Sequence, residues 1–272
     1  MFSYVKEDDY KLFFQITVNI FHDSFKTLIG SEYYAFLYHA SVKFLRHINT
    51  AETLMQGSTW NYLEEEYQYE YFDQSSILTL LRTSYENLVT IAYLFFGDED
   101  PKKLKLYQYC GYRNREKFKI KITQPDLIKK MEAEKLIIQS LESELKKLGV
   151  IKKHMDDWKP KSWYDLGIDC QLPHILCNNY KHWSSHTHTG FDSLMQVNAS
   201  ESYSIELQKE TNSVNYLFLC ISLAFFIKNF VEVLSRLGHS DVENYDLSDI
   251  EYFLKFCNVA DTINKNVESN NT

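Results

Sequence analysis

Residues 75–96 read SSILTLLRTSYENLVTIAYLFF, and this stretch decides the fold class. Aliphatic and aromatic residues recur in it at spacings of three and four, which is the pattern of an α-helix with a buried face. Gly97 ends the pattern and is followed by an acidic run and Pro101, a combination typical of a helix end. The stretch therefore predicts one long, well-buried helix that carries two charged residues, Arg82 and Glu86.

The same spacing recurs along most of the chain, and only eight Gly and four Pro interrupt its 272 residues. A β-rich protein of this length needs many more turn residues. Further helices are predicted over residues 8–28, 32–55, 101–121, 125–148, 173–189, 202–237 and 248–257. Residues 56–70 are predicted to form a connection without an assigned structure, and residues 152–168 a loop. The predicted fold is all-α, a single elaborated helical bundle over residues 1–263 with its core at about 75–237, followed by a disordered tail at 264–272.

Charge is distributed unevenly along the chain. Residues 101–161 contain 17 Lys and Arg against 8 Asp and Glu, so the rest of the chain carries a net −17 within a total of −8. We expect this segment to form a charged helical-hairpin insertion. Two interpretations remain open: long charged helices that solvate themselves, or a basic arm for an anionic partner such as RNA, with Lys129 and Lys130 among its contacts.

Several features predict a cytoplasmic protein. The five cysteines are odd in number and form no CxxC pair, which argues against a disulfide framework and suits a reducing compartment. Residues 1–9 lack the basic and apolar regions of a signal peptide. The longest apolar run, residues 216–227, is shorter than the ~20 residues that a membrane span needs, so we expect a core helix and no membrane association.

The segment YKHWSSHTH, residues 180–188, is the part of the chain that most resembles a functional site. On a regular helix, Tyr180, Ser184 and His188 share one face, because residues four apart lie one turn above each other. Two hydroxyls and an imidazole on one face could bind a phosphate or supply a general acid or base. The alternative is a buried polar network in which His188 is satisfied by its neighbours.

His182 and His186 fall on a different face of the same helix, four residues apart. Such a pair can share a metal ion, but catalytic zinc needs a third protein ligand, and the segment has no HExxH motif. We therefore predict a solvated or partner-facing histidine pair and no metal or other cofactor. A metal-binding enzyme that uses His182 and His186 remains a further alternative.

Arg82 and Glu86 are embedded in an apolar helix, and a buried charge is costly unless it is paired. The two residues can pair with each other across one helical turn. We expect their helix to pack face to face with the helix of residues 173–189, so that Arg82, Glu86, Tyr180, Ser184 and His188 form one polar pocket.

A helix with Arg-x3-Glu (Arg82, Glu86), followed much later by a helix with Tyr-x3-Ser-x3-His (Tyr180, Ser184, His188), resembles an uncharacterised all-helical bacterial family linked to the HEPN superfamily. HEPN proteins include metal-independent ribonucleases of toxin–antitoxin and phage-defence systems, which often act as dimers. The resemblance implies that Arg82 steadies a phosphate, that His188 transfers protons, and that Tyr180 and Ser184 position the substrate.

The sequence departs from the usual HEPN signature, in which an Arg precedes the His by a few residues. Lys181 lies in that place here, with six residues between it and His188, and a lysine lacks the bidentate fork of arginine. The leading hypothesis is a bacterial effector that binds and cleaves RNA without a metal, with RNA, an antitoxin or defence protein and a second copy as its partners. A non-catalytic interaction module, with exposed aromatics at 62–72 as its surface, is the alternative.

Overall fold

The computed structural model describes residues 5–62, 67–117, 124–150, 157–187, 195, 205–239 and 244–255. Its helices are α1 (Glu7–Asp23), α2 (Phe25–Ile29), α3 (Glu32–Met55), α4 (Gln74–Ile91), α5 (Pro101–Glu116), α6 (Pro125–Lys147), α7 (Trp163–Asp169), α8 (His174–Ser185) and α9 (Ile205–Arg236). A π-helical turn, Ala92–Phe96, extends α4, and a further helical segment covers residues 248–255. Two strands, β1 (Ser58–Tyr62) and β2 (Tyr67–Tyr71), pair as an antiparallel hairpin.

Helices dominate the described chain, and the prediction of an all-α fold class is confirmed at that level. The hairpin is a departure from it and lies where the sequence suggested a connection. Its register pairs Ser58 with Tyr71 and Tyr62 with Tyr67. Tyrosines at 67, 69 and 71 alternate with polar residues, a period of two that favours a strand and that could have revealed the hairpin.

The chain forms two compact units, which we call the charged unit (Gly97–Ser162) and the main unit (Met1–Phe96 with Trp163–Thr272). In the charged unit α5 packs on α6 around a small core formed by Tyr109, Cys110, Ile138, Leu141, Leu145 and Val150. Ion pairs between Lys105 and Glu144 and between Arg115 and Glu134 link the two helices. Carboxylates of α6 thus neutralise part of the positive charge that the sequence concentrates here.

The apolar helix α9 forms the core of the main unit. Residues 215–227 are buried on every side of the helix, and the rings of Phe226 and Phe44 lie 5.1 Å apart where α9 contacts α3. By length and composition the stretch Leu207–Arg236 could cross a membrane, but 83% of its most apolar window is buried inside the fold. This burial is what the core helix of a folded bundle shows, since a helix that is apolar all round must be covered.

The start of α4 is fixed against α9 by a buried pair of amides. Asn215 donates to Gln74 Oε1 at 3.0 Å, and Gln74 donates in return to Asn215 Oδ1 at 3.4 Å. One residue earlier, the Asp73 carboxylate caps α4 by accepting from the backbone N–H of Ser76 at 2.9 Å. Reciprocal bonding allows two polar side chains to be buried in an apolar region without an unsatisfied group.

One side of α4 packs antiparallel against α3. The Tyr33 hydroxyl, near the start of α3, donates to the carbonyl of Leu94 at 2.6 Å, after the end of α4. Further along, Asn87 Nδ2 of α4 lies 2.9 Å from Nδ1 of His47. These two contacts set the register in which α3 runs beside α4.

The other side of α4 packs against α7 and α8. The prediction of a loop over residues 152–168 is wrong for α7, which begins at Trp163. The turn after α7 places Gln171 in the left-handed region, with φ of 59°. Glycine usually occupies such a position, so the sequence carries no ordinary stop signal for this helix.

Candidate active site

Arg82 and Glu86 form the ion pair that their spacing predicts. Arg82 Nε lies 2.9 Å from Glu86 Oε1 across one turn of α4, and each side chain is about a quarter exposed, 23% and 24%. A solvent-exposed pair of this kind contributes only ~0.3–0.5 kcal/mol. Here both groups are largely withdrawn from water, so the surrounding polar groups matter more than the pair alone.

Tyr180 brings α8 to this pair. Its hydroxyl donates to Glu86 Oε1 at 2.9 Å, the oxygen that also accepts from Arg82. The guanidinium carbon of Arg82 lies 5.9 Å from the centre of the Tyr180 ring, at the outer limit of a cation–π contact. The predicted packing of these two helices, with Arg82, Glu86 and Tyr180 brought together, is therefore found in the structure.

Thr187 completes the arrangement, and our sequence reasoning missed it. Arg82 Nη1 donates to Thr187 Oγ1, and the Thr187 hydroxyl in turn donates to the carbonyl of Ser184 at 2.8 Å. The spacing in the sequence could have revealed it, because Thr187 follows Tyr180 by seven residues and so lies on the same side of a helix. We call Arg82, Glu86, Tyr180 and Thr187 the polar cluster.

The protonation states within the polar cluster follow from its burial and charges. Burial alone would lower the pKa of Arg82, but the Glu86 carboxylate and the Tyr180 hydroxyl outweigh it and raise the pKa above its usual value. Burial raises the pKa of Tyr180, and the hydrogen bond to Glu86 adds to the effect. Arg82 therefore stays cationic, and Tyr180 keeps the proton with which it holds Glu86.

A close-packed support lies beneath Tyr180. The Tyr85 ring lies 5.0 Å from that of Tyr180, and the Tyr85 hydroxyl donates to the carbonyl of Trp163 at 3.0 Å. Gly167 of α7 permits this approach: a Cβ at this position would clash with the Tyr85 hydroxyl and lie 3.1 Å from Sγ of Cys177. The glycine thus sets how closely α7 approaches α4 beside the polar cluster.

The two other predicted residues of this site, Ser184 and His188, are not part of the polar cluster as the structure describes it. The Ser184 hydroxyl donates to the carbonyl of Tyr180 at 2.8 Å, within its own helix. Its proton is therefore engaged by the backbone, and the oxygen can act toward a ligand as an acceptor. His188 lies outside the described residues, and its assignment stays a prediction.

The structure corrects the interpretation of His182 and His186. His182 is exposed, but His186 is only 5% exposed and is not part of a surface pair. The reason is its spacing from Trp183. His186 lies three positions after Trp183 and so shares its side of the helix, and Trp183 is buried. In addition, α8 ends at Ser185, four residues before the predicted end.

The metal hypothesis finds little support in this geometry. The rings of His182 and His186 lie 5.0 Å apart in an edge-to-face arrangement. Within the described part of the chain, no group of three or more His, Cys, Asp or Glu side chains is placed to hold a metal ion. A third ligand is what a catalytic zinc site requires.

The three predicted nucleic-acid contacts are all exposed. Lys181 lies on α8 with its ammonium group 6.0 Å above the ring of Tyr164. Lys129 and Lys130 lie in the first two turns of α6, in the charged unit. The aromatic surface suggested at residues 62–72 is wrong for Phe72, which is 3% exposed.

Comparison with known proteins gives one match. A family model described as a family of unknown function, DUF5677, matches residues 34–205. No curated protein and no solved structure matches the chain. Because the family model covers more than half of the chain, the protein belongs to this family. The matched range contains the whole polar cluster as well as Ser184 and His188.

Proposed function

We propose that this member of the DUF5677 family is a HEPN-like ribonuclease that binds RNA at the polar cluster and cleaves it without a metal ion. The supporting observation is the convergence of Arg82, Glu86 and Tyr180 from α4 and α8, two helices separated by more than 80 residues of sequence. A guanidinium held by a carboxylate and a hydroxyl, and still partly exposed, is suited to contact a phosphate.

Arg82 is the phosphate-binding group in this proposal. Its guanidinium has five N–H donors in a rigid fork. Nε is bound by Glu86 and Nη1 by Thr187, and these two bonds fix the plane of the group. Glu86 thereby acts as a positioning residue for Arg82, and Tyr180 positions Glu86. A guanidinium fixed in this way needs little reorganisation when negative charge develops on a phosphate.

His188 is the proposed proton-transfer group, assigned from the resemblance and from its place next to Thr187 in the sequence. As a base it takes the proton of a ribose 2′-hydroxyl, whose oxygen then forms a bond to phosphorus. The bond from phosphorus to the 5′-oxygen breaks, and that oxygen receives a proton. The products are a 2′,3′-cyclic phosphate and a 5′-hydroxyl end, and no oxidant, metal or cofactor is needed.

Lys181, Lys129 and Lys130 supply sequence-independent contacts to the RNA backbone in this proposal. Such contacts make affinity fall steeply as the salt concentration rises. The HEPN resemblance also implies a homodimer and an antitoxin or defence protein as partner. Light scattering on the purified full-length chain tests the dimer.

Cleavage of an unstructured RNA oligonucleotide by purified protein tests the proposed function. Arg82→Ala and His188→Ala should each reduce the cleavage rate at least a hundredfold, while both variants remain folded. Lys228→Ala, at an exposed position of α9, and His22→Ala, at a side chain that is 88% exposed, are the matched controls and should cleave normally. Equal cleavage by all four variants and wild type would show that the polar cluster is not the active site.

A non-catalytic interaction module is the second candidate, and one observation favours it. Glu86 neutralises Arg82, and the hydroxyls of the cluster all bond to protein groups, so the cluster could be a closed structural network. In that case Arg82→Ala would lower the free energy of unfolding by up to ~3 kcal/mol, because it removes the cation that pairs with a largely buried carboxylate. Wild-type protein would also leave RNA intact.

A further inference from the structure

We propose that a single RNA strand lies in a polar trough along α4, with its phosphates held by a basic stripe on α3. The basic stripe consists of His39, Lys43, Arg46 and His47. The trough has α4 as its floor, the basic stripe as one wall and Tyr180 of α8 as the other. This inference rests on the proposed function and assigns a substrate-binding surface that adjoins the polar cluster.

The residues of the basic stripe share one side of α3. At about 100° per residue, all four lie within an arc of about 100°. Lys43 and Arg46 are exposed, and no described carboxylate forms a salt bridge with either. Among the acidic residues of α3, Glu52 points to the opposite side of the helix, and Glu32 lies eleven residues before Lys43, about 16 Å along the axis.

The stripe meets the floor of the trough at His47. Its Nδ1 lies 2.9 Å from Nδ2 of Asn87, and Asn87 directly follows Glu86 of the polar cluster. Lys43 lies one turn before His47 on the same side of α3. Burial lowers the pKa of His47, and the positive charge of Lys43 lowers it further. Positive charge therefore borders α4 at Asn87, although the chain outside residues 101–161 is acidic overall.

The floor itself offers hydrogen-bond acceptors. The hydroxyl of Thr83 donates to the carbonyl of Thr79 at 2.9 Å, and that of Thr90 donates to the carbonyl of Glu86 at 2.7 Å. Both threonines are half-buried. On the helical wheel of α4 they lie between Glu86, which contacts α8, and Asn87, which contacts α3. With their protons engaged, their oxygens can only accept, which suits a ribose 2′-hydroxyl as donor.

The chemistry of the trough fits an RNA strand. The stripe spans about 12 Å along α3, from His39 to His47, which leaves room for more than one phosphate. A cationic wall binds phosphates, and an acceptor-rich floor distinguishes ribose from deoxyribose. Arg82, at the far edge of the floor, would then contact the phosphate at which cleavage occurs.

The test measures the affinity of the full chain for a single-stranded RNA oligonucleotide of mixed sequence at several salt concentrations. The double variant Lys43→Ala/Arg46→Ala should bind at least tenfold more weakly. The slope of log affinity against log salt should fall in magnitude by about 1.4, since each lost phosphate contact on a single strand accounts for about 0.7. The control variant Lys209→Ala/Lys228→Ala removes the same charge from exposed positions of α9 and should bind as wild type does.

Four other outcomes would contradict the inference, in whole or in part, in distinguishable ways. If both double variants weaken binding equally, the effect is one of net charge and the stripe is not a binding surface. If the stripe variant binds normally while Arg82→Ala abolishes cleavage, the trough is wrong and the proposed function stands. If wild-type protein binds no RNA, both the trough and the proposed function are wrong. Equal affinity for DNA of the same sequence would contradict the ribose contact at Thr83 and Thr90.

Discussion

Gly167 lies beneath the polar cluster, and its replacement by alanine should destabilise the main unit. The added methyl group would clash with the hydroxyl of Tyr85 and lie 3.2 Å from Cζ of that ring. Relief requires Tyr85 to move, which breaks its hydrogen bond to the carbonyl of Trp163. Overpacking of a core costs about 1–3 kcal/mol, and a lost hydrogen bond about 0.5–1.5 kcal/mol. We therefore expect Gly167→Ala to lower the free energy of unfolding by about 2–4 kcal/mol.

Urea unfolding followed by far-UV circular dichroism measures this change. The matched control is Gly111→Ala in α5, where nothing lies within 4 Å of the new methyl group. That variant should be as stable as wild type or more stable by up to ~1 kcal/mol, because alanine is the better helix former. The double variant Gly167→Ala/Tyr85→Phe should recover part of the loss, since the clash is with the hydroxyl.

Two results would contradict the close contact between Gly167 and Tyr85. A Gly167→Ala variant as stable as wild type would show that α7 does not approach Tyr85 so closely. A double variant that loses the sum of the two single losses would show that the Tyr85 hydroxyl and the new methyl group do not meet. Additivity of this kind is expected of residues that share no contact.

Three further predictions concern the elements that hold α4 in place. Asp73→Ala should lower the free energy of unfolding by ~1 kcal/mol in a urea melt, because it removes the N-cap of α4. Asp73→Asn should retain most of the wild-type stability, because asparagine also caps helices. Asn215→Leu should lower the free energy of unfolding by ~1–3 kcal/mol, because it leaves the buried Gln74 amide without its partner. The double variant Asn215→Leu/Gln74→Leu should lower it by less. A larger loss in the double variant would argue against the amide pair. Burial, aided by Lys43, lowers the pKa of His47 below the usual 6.5. The unfolded chain therefore binds a proton at His47 more readily than the folded chain does. The stability that comes from keeping His47 neutral is complete above pH 6.5 and is lost as the pH falls below it. His47→Gln should therefore flatten the dependence of stability on pH between 7.5 and 5.5, and an unchanged dependence would contradict the assignment.

The fold class could be predicted from the sequence because helical periodicity is a local property. The bounds of α3, Glu32–Met55, follow from a Gly30–Ser31 break and a continuous apolar face, and they agree with the predicted 32–55. The hairpin and α7 could not be predicted in this way. Each is short, and the turn after α7 contains Gln171, a residue whose type does not indicate the left-handed conformation that it adopts.

The charged part of the candidate site could be predicted from the sequence. Arg82 and Glu86 stand out because charged residues in an apolar helix need partners, and Tyr180 followed as a partner from the facing helix. His186 was misplaced because a helical wheel shows which residues share a side but not how far the core extends around it. Trp183, three residues earlier, was the better guide, since a buried tryptophan draws the i+3 position inward.

The polar cluster and His188 are proposed to cleave RNA through its own 2′-hydroxyl, and the chemistry of the product ends reports on this step. Wild-type protein should be incubated in EDTA with an RNA oligonucleotide, and the ends identified by mass spectrometry. We expect 2′,3′-cyclic phosphate and 5′-hydroxyl ends from wild type. We expect no products from His188→Ala or from an oligonucleotide of 2′-deoxy nucleotides. Intact RNA with wild type, cleavage that requires a divalent metal, or the same products from His188→Ala would contradict it.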